Sequence, residues 1–214
     1  MTHLARIERE SLCDTFVAAG PHAPTLCSPW DTADLAAHLV VRERRPDLAP
    51  GIWLPALASR LEEGQRGYAA KPWPELVETV RSGPPVWSPT RLSSLDDAVN
   101  FVEFFIHQED VLRGDGQVGP RREVPLRQQK ALWKGLTRTG RLFFRRSPVG
   151  VVLERRDGTS LTARKPTDLG TVTLRGEATE LVLAAYGRQR VAELEVTGRD
   201  EAVKALWDAP LGLS

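Results

Sequence analysis

Apolar and polar positions alternate at helical spacing through the first two thirds of the chain. The pattern predicts helices over about residues 3–20, 31–43, 94–113 and 125–144, with a proline-broken helical stretch over 52–82 that carries Leu54, Leu57, Leu61 and Leu76 to Val80. Gly20-Pro21, Arg45-Pro46, Lys71-Pro72, Gly83-Pro84 and Gly114-Asp115-Gly116 punctuate these segments, because proline and glycine do not continue a helix. After Pro148 the period changes from helical to alternating. Val149 to Glu154 and Ser160 to Ala163, joined through Asp157-Gly158, read as a hairpin, and Thr171 to Leu174 reads as a further strand. Ala178 to Tyr186 is a helix, Ala192 to Thr197 alternates like a strand, and Asp200 to Trp207 is a closing helix. The expected fold class is therefore α+β, with a helical bundle over residues 1–146 and a small α+β domain over 147–214. The second part is short for an independent core and is expected to dock on the bundle.

Two helical segments carry polar residues that their apolar surroundings do not explain. Glu103 and His107 are four residues apart among Phe101, Val102, Phe104, Phe105 and Ile106, so both side chains share one face of a buried helix. Such a pair reads either as a hydrogen bond or ion pair between helices or as two ligands of one metal ion. A third donor decides between the two. Of the four histidines, His3 lies at the N-terminus and His22 in the turn-like Gly20 to Pro24. His38 lies on an apolar helix that Asp31 or Thr32 caps and that Leu35, Leu39, Val40 and Val41 line. His38, Glu103 and His107 together form the His/Glu/His set that leaves metal positions open to water or substrate. Asp34, one turn before His38, and Asp110, three residues after His107, are candidate outer acceptors for the ligand imidazoles, or solvent-facing helix charges.

Charged residues make up 27% of the chain, the formal net charge is +1, and no apolar run approaches the roughly 20 residues that span a bilayer. Residues 1–10 alternate charges and lack the apolar core of a signal peptide, so a cytoplasmic protein is expected, without a membrane role. Cys13 and Cys27 read as reduced thiols, each a small buried hydrophobe; Cys27, just before Ser28-Pro29-Trp30, is also placed to lie near the site. The short runs Arg42 to Arg45, Arg121-Arg122 and Arg145-Arg146 are interspersed with acids and read as solvated helix ends, not as a nucleic-acid surface. Trp30, Trp53, Trp73 and the Gly83 to Trp87 segment are either core aromatics or walls of a cleft beside the metal.

The stretch Leu26 to Glu43, with its tryptophan, Asp-Leu and histidine, together with Glu103-x-x-x-His107, resembles the DinB/YfiT-like metal-binding superfamily. Within it, the chain resembles the mycothiol-dependent maleylpyruvate isomerase family over nearly its whole length. The resemblance implies a DinB-like four-helix bundle, with His38, Glu103 and His107 holding a divalent ion, usually zinc. It also implies a sterol-carrier-like C-terminal domain with Leu174 to Arg188 at its core. Mycothiol is implied as co-substrate, with S-transfer or cis-trans isomerisation of an electrophilic substrate as the reaction and the metal-activated thiolate as nucleophile. Family isomerases draw on a C-terminal arginine, for which Arg188 is the nearest candidate beside a plain exposed helix-end role.

Two functions remain open from the residues. One is the thiol-dependent enzyme, working as a monomer or homodimer on a small-molecule thiol and an electrophile. The other is a non-catalytic module that binds a small molecule or partner and in which the metal only ties helices together. A closed structural metal needs a fourth protein ligand, and Cys27 is the residue placed to supply one.

Overall fold

The computed structural model describes residues 3–48, 51, 54–88, 91–209 and 211–212. The chain forms two compact units, Met1–Asp115 and Gly116–Ser214. The first is helical. Helix α1 (Leu4–Ala19) buries Leu4, Ala5, Glu8, Arg9, Leu12, Cys13 and Phe16, a stripe repeating every three to four residues. Gly20, at φ 78°, ends it in a conformation that glycine adopts without strain. Helix α2 (Thr32–Arg44) starts at a capping box: the Asp31 side chain accepts from the Asp34 amide, and the Asp34 side chain accepts from the Asp31 amide. It is buried on most sides, from Ala33 to Glu43.

The proline-broken stretch resolves into a short 3-10 turn at Pro55–Leu57, helix α3 (Ala58–Ala69) and helix α4 (Trp73–Arg81). Pro72 separates the last two because the residue before a proline is driven out of the helical region and Pro72 cannot donate an amide. Helix α5 (Ser93–Leu112) buries Phe101, Phe104, Phe105 and Ile106 and packs along α1, while α2 packs on α3 and α4.

In the second unit, helix α6 (Leu126–Phe143) precedes a four-stranded sheet ordered β2-β1-β3-β4. Strand β1 (Gly150–Arg155) pairs antiparallel with β2 (Ser160–Arg164) and parallel with β3 (Thr171–Gly176). The third strand pairs antiparallel with the short β4 (Glu195–Thr197), so only the last three residues of the strand expected over 192–197 enter the sheet. Val151 and Leu153 of β1 and Val172 and Leu174 of β3 are buried alternately, as one covered sheet face requires. Helix α7 (Ala178–Ala185) is buried throughout, and α8 (Asp200–Asp208) closes over β3. The break expected at 146/147 falls inside this second unit, because α6 packs against β2 and α7. The change of sequence period at Pro148 marks where strands begin, which is a different thing from where a core divides. Among the described residues no helix is long and apolar enough to cross a membrane.

Candidate metal centre

Helices α2 and α5 of the first unit bring His38, Glu103 and His107 together, with one donor atom from each lying within 4.8 Å of the others. Glu103 Oε1 is 3.2 Å from His107 Nε2 and 3.8 Å from His38 Nε2. A divalent ion with bonds of about 2.0–2.2 Å to N and O holds its donors about 3–3.5 Å apart, so the Glu103–His107 separation already suits one and His38 would have to move closer.

The orientation of the rings is as informative as the distances. Both imidazoles turn Nε2 toward the same carboxylate, and both have Nδ1 occupied from outside. His107 Nδ1 is 3.0 Å from Asp110 Oδ2, and His38 Nδ1 is 3.1 Å from the Gln65 side-chain amide on α3. Outer hydrogen bonds of this kind fix the tautomer and aim the bare nitrogen at a metal; at His38 this requires the Gln65 carbonyl oxygen to face the ring and accept from Nδ1–H.

Electrostatics describe the same arrangement with protons in place of a metal. Burial is the largest influence on His107 and opposes its charge. Hydrogen bonds to Asp110, Cys27 and Glu103 together outweigh it and hold the imidazole well above its ordinary 6.5. At His38 burial wins and the pKa is lowered. Burial also pushes Glu103 upward, but the hydrogen bonds of His107 and His38 and the charge of Arg42 pull it far below the ordinary carboxylate range. Arg42 Nε lies 3.3 Å from Glu103 Oε1, and its guanidinium also bonds Asn100 Oδ1. One carboxylate thus faces several donors.

A cavity of about 290 Å³ opens on His38, walled by Trp30, Arg42, Leu61, Glu62 and Gln65 among others. The Trp30 ring stands 5.1 Å from the His38 ring. Of the other tryptophans considered for such a wall, Trp73 packs edge-on against Phe16 at 5.7 Å, Trp87 is exposed, and Trp53 lies outside the described residues.

The two outer aspartates separate. Asp110 is fully buried against His107, whereas Asp34 is occupied in the α2 capping box. Neither cysteine is in a disulfide. Cys13 is fully buried, and burial pushes its thiol up to about 12. Cys27 is half-buried, donates to Asp110 Oδ2 at 3.1 Å and stands 4.0 Å from His107 Nδ1. It therefore lies on the Nδ1 side of His107 and groups with Asp110, away from the point that the two Nε2 atoms share. His22 pairs with Asp31 at the surface and His3 is exposed. Arg188 belongs to the second unit, where it donates to the Tyr186 carbonyl at 2.6 Å. Gln65 is the partner that sequence reasoning missed, since one glutamine on a polar, surface-lying helix carries no signal of its own.

Comparison with solved structures adds the fold. Over 91% of this chain and 90% of the other, it superposes on the crystal structure of the mycothiol-dependent maleylpyruvate isomerase with a TM-score of 0.62 at 14% identity. The chain shares that fold. A histidine-to-alanine mutant of the mycothiol-dependent maleylpyruvate isomerase matches with a TM-score of 0.61 at the same identity and coverage. No family model matches the sequence, and no curated protein matches it.

Proposed function

We propose that this protein is a divalent-metal-dependent enzyme that uses a low-molecular-weight thiol, mycothiol, for cis-trans isomerisation of an electrophilic small molecule or for S-transfer to it. The observation that carries the reading is the convergence of His38 Nε2, Glu103 Oε1 and His107 Nε2 with both Nδ1 atoms already occupied. The whole-length likeness to a mycothiol-dependent isomerase supports the choice of thiol and of reaction class. On this reading helices of residues 1–146 make up a DinB-like four-helix bundle, residues 147–214 are sterol-carrier-like, and the bound ion is zinc.

When bound, such an ion supplies a Lewis acid that stabilises a thiol as thiolate at neutral pH. The rest falls to the chain. Asp110 holds the His107 ring through Nδ1, Gln65 does the same for His38 once its carbonyl oxygen faces Nδ1–H, and Glu103 would be the one charged ligand, leaving a net positive centre for an anionic sulfur. Trp30 and Leu61 shelter the face of His38 from water, and Arg42 places a guanidinium on the cavity wall beside Glu103. In an isomerisation, thiolate adds to one carbon of a cis double bond, the resulting single bond rotates, and expulsion of the thiolate restores the double bond in the trans form. The thiol is returned unchanged. In an S-transfer the thioether remains and the leaving group or proton balances the charge.

The competing reading, a closed structural metal, asks for a fourth protein donor at the same point. Cys27, the residue suited to that role, groups instead with Asp110 on the opposite side of the His107 ring. The deciding experiment measures metal content by elemental analysis and mycothiol-dependent turnover of maleylpyruvate on the same preparations of wild type, His38→Ala and His107→Ala. Near-stoichiometric metal with thiol-dependent turnover in wild type, and loss of both in the variants, is expected. Wild type that stays metal-free after added zinc would refute the proposal.

A further inference from the structure

The second unit holds a cavity of about 570 Å³ where the end of α6 meets β2, and its chemistry differs from that of the metal centre. Arg141, Arg145, Arg164 and Lys165 line it together with Thr162 and Thr167, and no acidic residue does. The close approach that forms it depends on Gly140: a Cβ there would meet Leu161 Cδ2 at 3.1 Å, so α6 lies directly on β2 and carries Arg141 and Arg145 to the strand's end.

Arginines in the last turn of a helix are ordinarily explained by the negative carbonyl end of its dipole. That accounts for Arg141 and, just past the helix end, for Arg145. It does not account for Arg164 at the end of β2 and Lys165 just after it, which come to the same space. Among the described residues, none of the four is in an ion pair with a carboxylate. Arg164 Nη1 donates to the Arg145 carbonyl at 3.0 Å, which covers a backbone oxygen that would repel an anion. Its Nε and Nη2 are left as donors. Like charges gathered without counter-charges raise one another's free energy, and an anion relieves this. The volume lies within the range of small-molecule sites, and the aliphatic stems of the arginines, Ala163 and Pro166 give it apolar walls.

We propose that this cavity binds a small phosphate-bearing anion through Arg141, Arg145, Arg164 and Lys165. Tetrahedral oxyanions take charge-assisted bonds from guanidinium forks, and two or more phosphate groups match four cations. The site is independent of the metal centre and of the reaction proposed there.

The test is calorimetric titration of the full chain with inorganic pyrophosphate at about 0.15 M salt, where surface attraction alone is screened. Because pyrophosphate chelates metals, the titration is repeated on His38→Ala. Arg141→Gln and Lys165→Gln serve as variants, since both side chains are exposed and neither has an ion partner whose loss would unfold the protein. Arg6→Gln, which breaks only an exposed pair with Glu10, is the control. Saturable binding of one pyrophosphate per chain is expected in wild type, His38→Ala and Arg6→Gln. About a tenfold loss of affinity is expected for each cavity variant. Equal binding in all variants, or none in wild type, overturns the proposal. So does displacement by short duplex DNA at equal phosphate concentration with a steep salt dependence, which would mark a nucleic-acid surface instead.

Discussion

Helices α2 and α5 carry two clusters of buried charge, and they are built to opposite ends. In one, the guanidinium of Arg9 grips both oxygens of Glu43 at 2.6 and 2.7 Å, reaches Asp96 at 3.4 Å and lies 4.6 Å over the ring of Phe104. Asn100 closes that cluster by donating to Asp96 at 2.7 Å. Every strong donor there meets an acceptor inside the fold. In the other, two imidazole nitrogens face a single carboxylate oxygen, and a cavity opens on one of the rings. Charge alone does not distinguish the clusters, although the first is the more deeply buried: the Arg9 and Glu43 side chains are each 4% exposed, those of His38 and Glu103 18% and 25%. What separates them is access: the first is closed off inside the fold, whereas one imidazole of the second borders a cavity through which an outside ligand can reach it.

The largest effects should come from breaking one cluster at a time. Arg9→Met leaves Glu43 buried without its counter-charge, which costs about 3–5 kcal/mol and lowers Tm by about 10 °C. Its metal content per folded chain should be that of wild type. His38→Ala should do the reverse, losing metal while the Tm of the metal-free protein moves by only a few degrees. Thermal melts paired with elemental analysis read both. A metal-free wild type that melts far below the zinc-loaded one, together with loss of metal in Arg9→Met, would erase the distinction between the clusters.

A smaller effect sharpens the line between donors and their outer supports. Asp110→Asn and Gln65→Ala keep all three donor atoms but loosen one ring each, so metal affinity should fall about 10- to 100-fold by competition with a fluorescent chelator. Asp34→Ala, which disrupts only the α2 capping box, should cost about 0.5–1 kcal/mol of stability and leave that affinity unchanged.

The contrast between Asp34 and Asp110 also shows what the sequence could carry. Helical periodicity placed His38, Glu103 and His107 on buried faces, because spacing and apolar neighbours are local properties. It could not rank the two aspartates: each lies one turn from a histidine, and only the start of α2 at Thr32 commits Asp34 to the cap. Gln65 was illegible for another reason. Helix α3 has no buried residue, so nothing in its pattern points a side chain inward, and its contact with His38 is a product of how α3 packs on α2. The break near residue 115 was hidden likewise, since the apolar stripe of α6 says that the helix is covered but not by what.

The finest test of the comparison is the pH dependence of the closed cluster. Burial is the largest influence on Glu43 and raises its pKa above the ordinary 4.5, while Arg9 pulls it down. A carboxyl whose folded pKa is raised contributes stability that is fully present below its unfolded pKa and is lost as pH rises through the folded value. Removing Arg9 raises the folded value further, so the protonated, uncharged Glu43 persists to higher pH and needs no counter-charge there. The stability gap between wild type and Arg9→Met should therefore narrow as pH falls from about 8 to about 5, by about 1 kcal/mol for each pKa unit that Arg9 had suppressed. Denaturant midpoints at the two pH values measure it. A gap that widens on acidification would mean that Glu43 stays ionised without Arg9, held by Arg42, which bonds Asn100 Oδ1 and also lowers the Glu43 pKa.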